Sequence, residues 1–230
     1  MGVRSRHLLV LGLVCFAFFL VGNGHVTLTG HDETFYAQTA KEMAQRGEWF
    51  TPYLFDHPQF EKPILLYWFL RVAGGVFGFN SFSMRLFPAL FGALGIGAVY
   101  WLARLCFGNE RKAFLSALIL ASSALYVGLA RTVFTDMMFA VLILLGLLGF
   151  YWGYRRTERR SVSILLFFAF SGFATLAKGP LGILLPLLIV LSFLLIRREV
   201  GAYRCAAVPW GLLLFALITV PWYADRKSVV

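Results

Sequence analysis

Charged residues are scarce in this sequence. They fill 14% of its 230 positions, where a soluble globular domain carries about 25%. Acids are scarcer still: 11 Asp+Glu stand against 21 Lys+Arg, a formal charge of +10. Cysteine is nearly absent. Cys15, Cys106 and Cys205 lie far apart, with no CxxC pair and no Cys/His cluster. That excludes a zinc site or disulfide framework of familiar spacing and leaves three free thiols. There is no glycine-rich phosphate loop, no low-complexity tract and no internal repeat, so the related halves of many secondary transporters are missing too.

What is abundant is apolar surface. The chain is 60% hydrophobic with 24 Phe, and its mean hydropathy is +0.76. A water-soluble fold could not hide this much, so lipid must solvate it. In a soluble protein +10 would read as a nucleic-acid footprint. Here it poses the question of which membrane side the charge occupies, and no nucleic-acid partner is expected.

Spanning the hydrocarbon core takes about 17–25 apolar residues. About seven runs are candidates: 8–24, 85–105, 113–130, 134–153, the short 162–177, 180–196 and 205–224. The first follows Arg4 and Arg6 but lacks a small-x-small cleavage site, and reads as a retained anchor. The connections after the second, fourth and sixth runs are short and basic (Arg104, Arg111, Lys112; Arg155, Arg156, Arg159, Arg160; Arg197, Arg198, Arg204). With Arg4 and Arg6 they place twelve of the 21 Lys/Arg, but only three of the 11 acids, on one side. The positive-inside rule makes that side cytoplasmic, with a cytoplasmic N-terminus and an outward-facing loop 25–84. No charge falls mid-span, which weakens a transporter reading.

Loop 25–84 is the one large polar region. Residues 33–46 predict a helix with Tyr36, Ala37, Ala40, Met43 and Ala44 on one face and Gln38, Lys41, Glu42 and Gln45 on the other. Asp32 is placed as N-cap and Gly47 as the stop, with the helix lying along the membrane surface. After a stretch of turn formers (Pro52, Asp56, His57, Pro58), Pro63 opens an apolar helix over 64–73 ending at Gly74–Gly75, too short to span.

Four charged clusters fall on the outer side, each with a plain and a chemical reading. Asp32-Glu33 is either a cap with a first-turn acid or a general base activating an acceptor. Glu61-Lys62 is either a solvated pair before a proline or a lysine holding phosphate as a point charge. Asp136, just inside the fourth run, needs a partner or a function, and Arg131 or Lys178 could pair with it. Lys178, in the Ala177–Pro180 turn, either snorkels to the interface or meets phosphate.

The order HDETFYAQTAKEMAQRGEWFTPYL, FEKPILLYW, ARTVFTDMMF, LAKGP resembles the polyprenyl-phosphate-dependent glycosyltransferases of the GT-C fold. The bacterial branch with the lipid A aminoarabinose transferase and relatives of the protein O-mannosyltransferases is nearest. The resemblance covers essentially the whole chain. It implies an all-α integral membrane protein of about seven transmembrane helices, with amphipathic juxtamembrane helices in the first outer loop. It implies an inner-membrane enzyme that takes sugar from an undecaprenyl- or dolichyl-phosphate donor and passes it, on the outer side, to a lipid, glycan or protein acceptor. By the resemblance Asp32 is the base, and Glu33 of the same Asp-Glu motif, Glu61 and Asp136 are further catalytic acids of the cavity. Lys62 engages the carrier phosphate, with Arg131 and Lys178 placed to help. A lipid phosphate already supplies a charged leaving group, so no metal or other cofactor is expected. Family members run to more than twice this length, so residues 1–230 are expected to be the N-terminal part of the transmembrane catalytic domain. The alternative from another class is a polytopic transporter or lipid-binding membrane protein without catalysis.

Overall fold

The computed structural model describes residues 2–28, 30–203 and 206–229, the side chains of 202 and 226–229 excepted. Arg204 and Cys205, named above in a basic connection and among the free thiols, lie outside the described residues. The chain divides into two compact units, Met1–Val141 and Leu142–Val230.

In the first unit α1 (Val3–Cys15) runs on as a wider turn to Leu20. The loop helices α2 (His31–Arg46) and α3 (Leu65–Phe77) follow, then α4 (Ser81–Phe107), α5 (Glu110–Ala121) and α6 (Ala124–Ala130). The helix α7 (Thr135–Arg155) begins in this unit and ends in the second. There α8 (Arg160–Lys178), α9 (Leu181–Arg197) and α10 (Ala207–Val229) complete the order. Each of the seven apolar runs contains helix among the described residues, and the protein is a multi-pass membrane protein. Among the described residues five helices are long and apolar enough to cross a membrane, or six if α5 and α6, bent by 67°, make one span. The helix α9, at 17 residues, sits at the lower limit for a span. Its outward-facing Leu184, Leu188 and Ile196 are exposed, as lipid contact requires.

Capping explains the boundaries of α4. The Asn80 side chain accepts from Ser83 N at 3.0 Å and Ser83 Oγ accepts from Asn80 N at 3.1 Å, a reciprocal cap. Gly108, in the left-handed region at φ 64°, ends the helix. Between these ends α4 packs closely through small residues. A Cβ on Gly92 would lie 2.8 Å from Ala130 Cβ, and one on Gly95 2.8 Å from Val141 Cγ2. Tyr126 Oη donates to Gly92 O at 2.8 Å. Small residues let membrane helices approach where no hydrophobic effect drives them together. The second unit repeats this at Gly149, whose Cβ would meet Leu166 Cβ at 3.1 Å, over a core of Phe150, Ile164, Phe167, Phe168, Val190 and Leu194.

The loop differs from expectation in three places. The N-cap of α2 is Gly30, so Asp32 lies inside the first turn. Glu42, expected on the solvated face, is buried. The helix α3 does not stop at Gly74–Gly75 but runs to Phe77, with Gly78 as its stop. Gly74 is where Phe79 folds back: a Cβ there would lie 2.5 Å from that ring, so the glycine serves packing inside the helix. Gly47 does end α2 as expected, at φ 75°.

Candidate functional site

The first unit gathers most of the candidate residues around the start of α2. Its buried face, Tyr36, Ala40 and Met43, packs on α3, where the Tyr36 and Tyr67 rings lie 5.7 Å apart. Asp32 keeps 63% of its side chain exposed, with His31 Nδ1 at 3.8 Å from its Oδ1. Four residues on, and so on the same side of the helix, Tyr36 is buried and hydrogen-bonded to the Thr135 hydroxyl. Burial chiefly pushes its phenol up to about 12, and the charges of Asp32, Asp136 and Glu61 add to that. The phenol is therefore held in its neutral form, chiefly by burial. Tyr67 is shifted in the same direction, again chiefly by burial, with Glu61 among the contributors. Tyr36 was legible from the sequence only as part of an apolar face; its i, i+4 spacing from Asp32 was the available signal.

Glu33 has a different part. It is 4% exposed and bound in a fork: Arg85 Nε donates to Oε1 at 3.0 Å and Nη2 to Oε2 at 2.8 Å. Val133 N also donates to Oε1 at 3.1 Å. Arg85 further donates to the carbonyls of Val26 (2.7 Å) and Thr27 (3.2 Å). This ties the chain after α1, the first turn of α2, the start of α4 and the turn before Asp136. Glu33 therefore holds the site's frame and does not stand open as an acid. In the sequence Arg85 is only the first residue of the second apolar run. A buried arginine needs a named partner, and that rule was the signal for it.

Arg131 also serves the frame. Its Nη1 donates to Phe18 O (2.7 Å) and Val21 O (2.9 Å), covering carbonyls at the end of the first span that the helix leaves unpaired. Asp136 opens α7 and is half-buried with bonded or charged neighbours.

The approach to Glu61 and Lys62 is a two-residue hairpin, Tyr53–Leu54 paired with His57–Pro58. Its tip residues Phe55 and Asp56 have φ of 50° and 66°, the backbone a type I′ turn demands. Glu42 supports that tip by accepting from Phe55 N (3.1 Å) and Asp56 N (3.3 Å). Burial opposes its charge, yet these bonds, Gln38 and nearby Arg46 hold its carboxyl below the usual range. Arg46 pairs with Asp56 and lies over the Tyr53 ring. Gln59 then bonds Tyr67 Oη at 3.0 Å. Glu61 and Lys62 follow, both exposed. Among the described residues Lys62 has no acid within ion-pair distance, which leaves its ammonium open to an anion. Lys178 belongs to the second unit, where it ends α8 before Gly179 at φ 85°. Gly179 N donates to Thr175 O at 2.8 Å, the tight turn expected there.

The family model for dolichyl-phosphate-mannose-protein mannosyltransferase matches residues 8–225. The undecaprenyl phosphate-alpha-4-amino-4-deoxy-L-arabinose arabinosyl transferase of Photorhabdus laumondii is 30% identical over 221 residues, covering 92% of this chain and 39% of the relative. The corresponding transferase 2 of Pseudomonas fluorescens is 33% identical over 228 residues, covering 95% and 38%. Among solved structures, ArnT from Cupriavidus metallidurans in the apo state superposes with a TM-score of 0.88 at 29% identity, covering 97% of this chain and 42% of that one. Its complex with undecaprenyl phosphate gives 0.87 at 28% identity, covering 97% and 41%. The chain thus spans about two fifths of the length of these relatives.

Proposed function

Because the chain belongs to the dolichyl-phosphate-mannose-protein mannosyltransferase family, we propose that it carries the catalytic base and the carrier-phosphate contacts of a polyprenyl-phosphate sugar transferase. The observation that carries this reading is the exposed Asp32 carboxylate held in the first turn of α2, with exposed Lys62 beside Glu61 after the hairpin of the same loop. Asp32 takes the proton of an acceptor hydroxyl as its oxygen attacks the sugar's anomeric carbon. The bond from that carbon to the phosphate oxygen breaks, and the carrier phosphate leaves with the electron pair. Lys62 meets that charge. Arg131 is a secondary contact in this reading, and Lys178, in the second unit, is a further candidate cation for phosphate. Undecaprenyl phosphate, bound by the solved relative, is the carrier assigned here, and lipid A fits the acceptor class.

Lys62→Ala is expected to weaken undecaprenyl-phosphate binding to the detergent-purified chain roughly ten- to hundredfold, the value of a charge-assisted hydrogen bond. Lys41→Ala, a surface control, leaves it unchanged. Equal losses in both variants would remove Lys62 from the site.

The charge distribution supports insertion into the cytoplasmic membrane with the N-terminus inside and loop 25–84 outside. Single cysteines introduced at Gln45 and at Thr157 test this. With native cysteines replaced, an impermeant maleimide on intact cells should label position 45 only. Labelling of position 157 instead would invert the topology.

A further inference from the structure

The basic end of the second unit holds an apolar cavity that none of the candidate site residues lines. A cavity of about 220 Å³ lies between α7, α8, α9, the short turn Val200–Tyr203 and the start of α10, lined by Phe150, Phe167, Phe168, Leu194, Val200 and Tyr203 among others. It is smaller than the roughly 300–1,000 Å³ of ordinary small-molecule sites, and its lining is hydrocarbon and aromatic rings apart from the Tyr203 hydroxyl. Arginines stand at its edge. The Arg160 guanidinium lies 5.1 Å from the centroid of the Tyr203 ring. Arg197, one turn beyond Leu194, donates from Nε to Tyr154 Oη at 3.2 Å and faces Glu199 at 4.0 Å. Arg155, Arg156, Arg159 and Arg198 are exposed on the same connections. Six arginines thus meet two acids, Glu158 and Glu199.

We propose that this cavity and its arginines bind an anionic glycerophospholipid, acyl chain in the cavity and phosphate on Arg160 and Arg197. An orientation signal needs only positive charge close to the membrane. It does not need an apolar pocket between the helices beneath that charge. The pairing of the two is what a lipid with an anionic head and an apolar tail recognises, and basic pockets between membrane helices are known to take such headgroups. The planar guanidinium suits phosphate through paired donors, and Tyr203 holds that of Arg160 against its ring.

The test uses the detergent-purified chain, with lipid binding read by native mass spectrometry and melting temperature. Dioleoyl-phosphatidylglycerol is expected to bind and to raise the melting temperature saturably, while dioleoyl-phosphatidylcholine does neither. Arg160→Gln/Arg197→Gln should weaken phosphatidylglycerol binding roughly thirtyfold, the effect of two juxtamembrane charges. Arg111→Gln/Lys112→Gln, on another basic connection, should leave it unchanged. Val190→Phe, which narrows the cavity and keeps every arginine, should also weaken it. If the arginine double variant melts early without lipid, the exposed pair Arg156→Gln/Arg159→Gln and Val190→Phe carry the test. Three results would overturn the proposal: equal affinity for the two lipids, equal loss in the control, or full protection by inorganic phosphate alone.

Discussion

Asp32→Asn is expected to slow sugar transfer from an undecaprenyl-phosphate donor by about 10²–10⁴-fold, the span general-base catalysis supplies, while carrier binding changes less than about threefold. The asparagine has nearly the same shape and keeps an acceptor oxygen, so α2 and its packing survive. What it loses is a basic site. The position suits that role: Asp32 is 63% exposed, yet it is anchored in the first turn of a helix whose next residue is locked to Arg85. A base so placed can reach a substrate proton without rearranging the loop. Tyr36, one turn on, is buried and hydrogen-bonded to Thr135, which steadies this turn of α2. The assay is turnover of radiolabelled donor in a transfer-competent chain, alone or joined to the part of a relative that this chain does not span. Near-normal turnover in the asparagine variant would remove Asp32 as the base. Loss of carrier binding in parallel would show that the substitution had disturbed the phosphate site instead.

The sequence displays the features of this site unevenly, for physical reasons. Helix α4 is readable because a long apolar run lies between two helix stops, the capping Asn80 and the left-handed Gly108. The bend between α5 and α6 is not. Ser122 and Ser123 interrupt the helix without a proline or glycine, and the apolar run on either side looks continuous. Asp32, Glu61, Lys62 and Asp136 stand out because charge is rare in this chain and costly near lipid. Glu42 illustrates the opposite case. Helical periodicity assigns it to water, but two amide groups at the hairpin tip need an acceptor, and that demand comes from a turn 13 residues away. Long-range partners are the main blind spot. Nothing local to Glu33 announces Arg85, 52 residues on, or the Val133 amide, 100 residues on. Glu33 therefore looked like a second catalytic acid when its bonds make it a brace.

That brace carries the largest expected effect on stability. Arg85→Met should destabilise the first unit by about 3–5 kcal/mol, because it leaves Glu33 charged, buried and unpaired. The pair is desolvated on both sides, at 6% side-chain exposure each, so solvent cannot make up the loss. The arginine also satisfies the carbonyls of Val26 and Thr27, which would be left without that donor. Glu33→Gln should cost less, since its amide oxygen can still accept from Arg85 and Val133. The double variant Glu33→Met/Arg85→Met should melt above Arg85→Met alone, because removing both charges relieves the unpaired one. The ordering of melting temperatures in detergent, wild type above the double variant and the double variant above Arg85→Met, checks the pair without relying on any single value. Since the Val133 amide hangs on the same carboxylate, three residues before Asp136, loosening this brace should also free the turn that presents Asp136. A spin label at Thr132 should gain mobility in Arg85→Met. An Arg85→Met chain that melts with wild type and leaves that label as immobile would show that the two sides of the site are held together by something other than this pair.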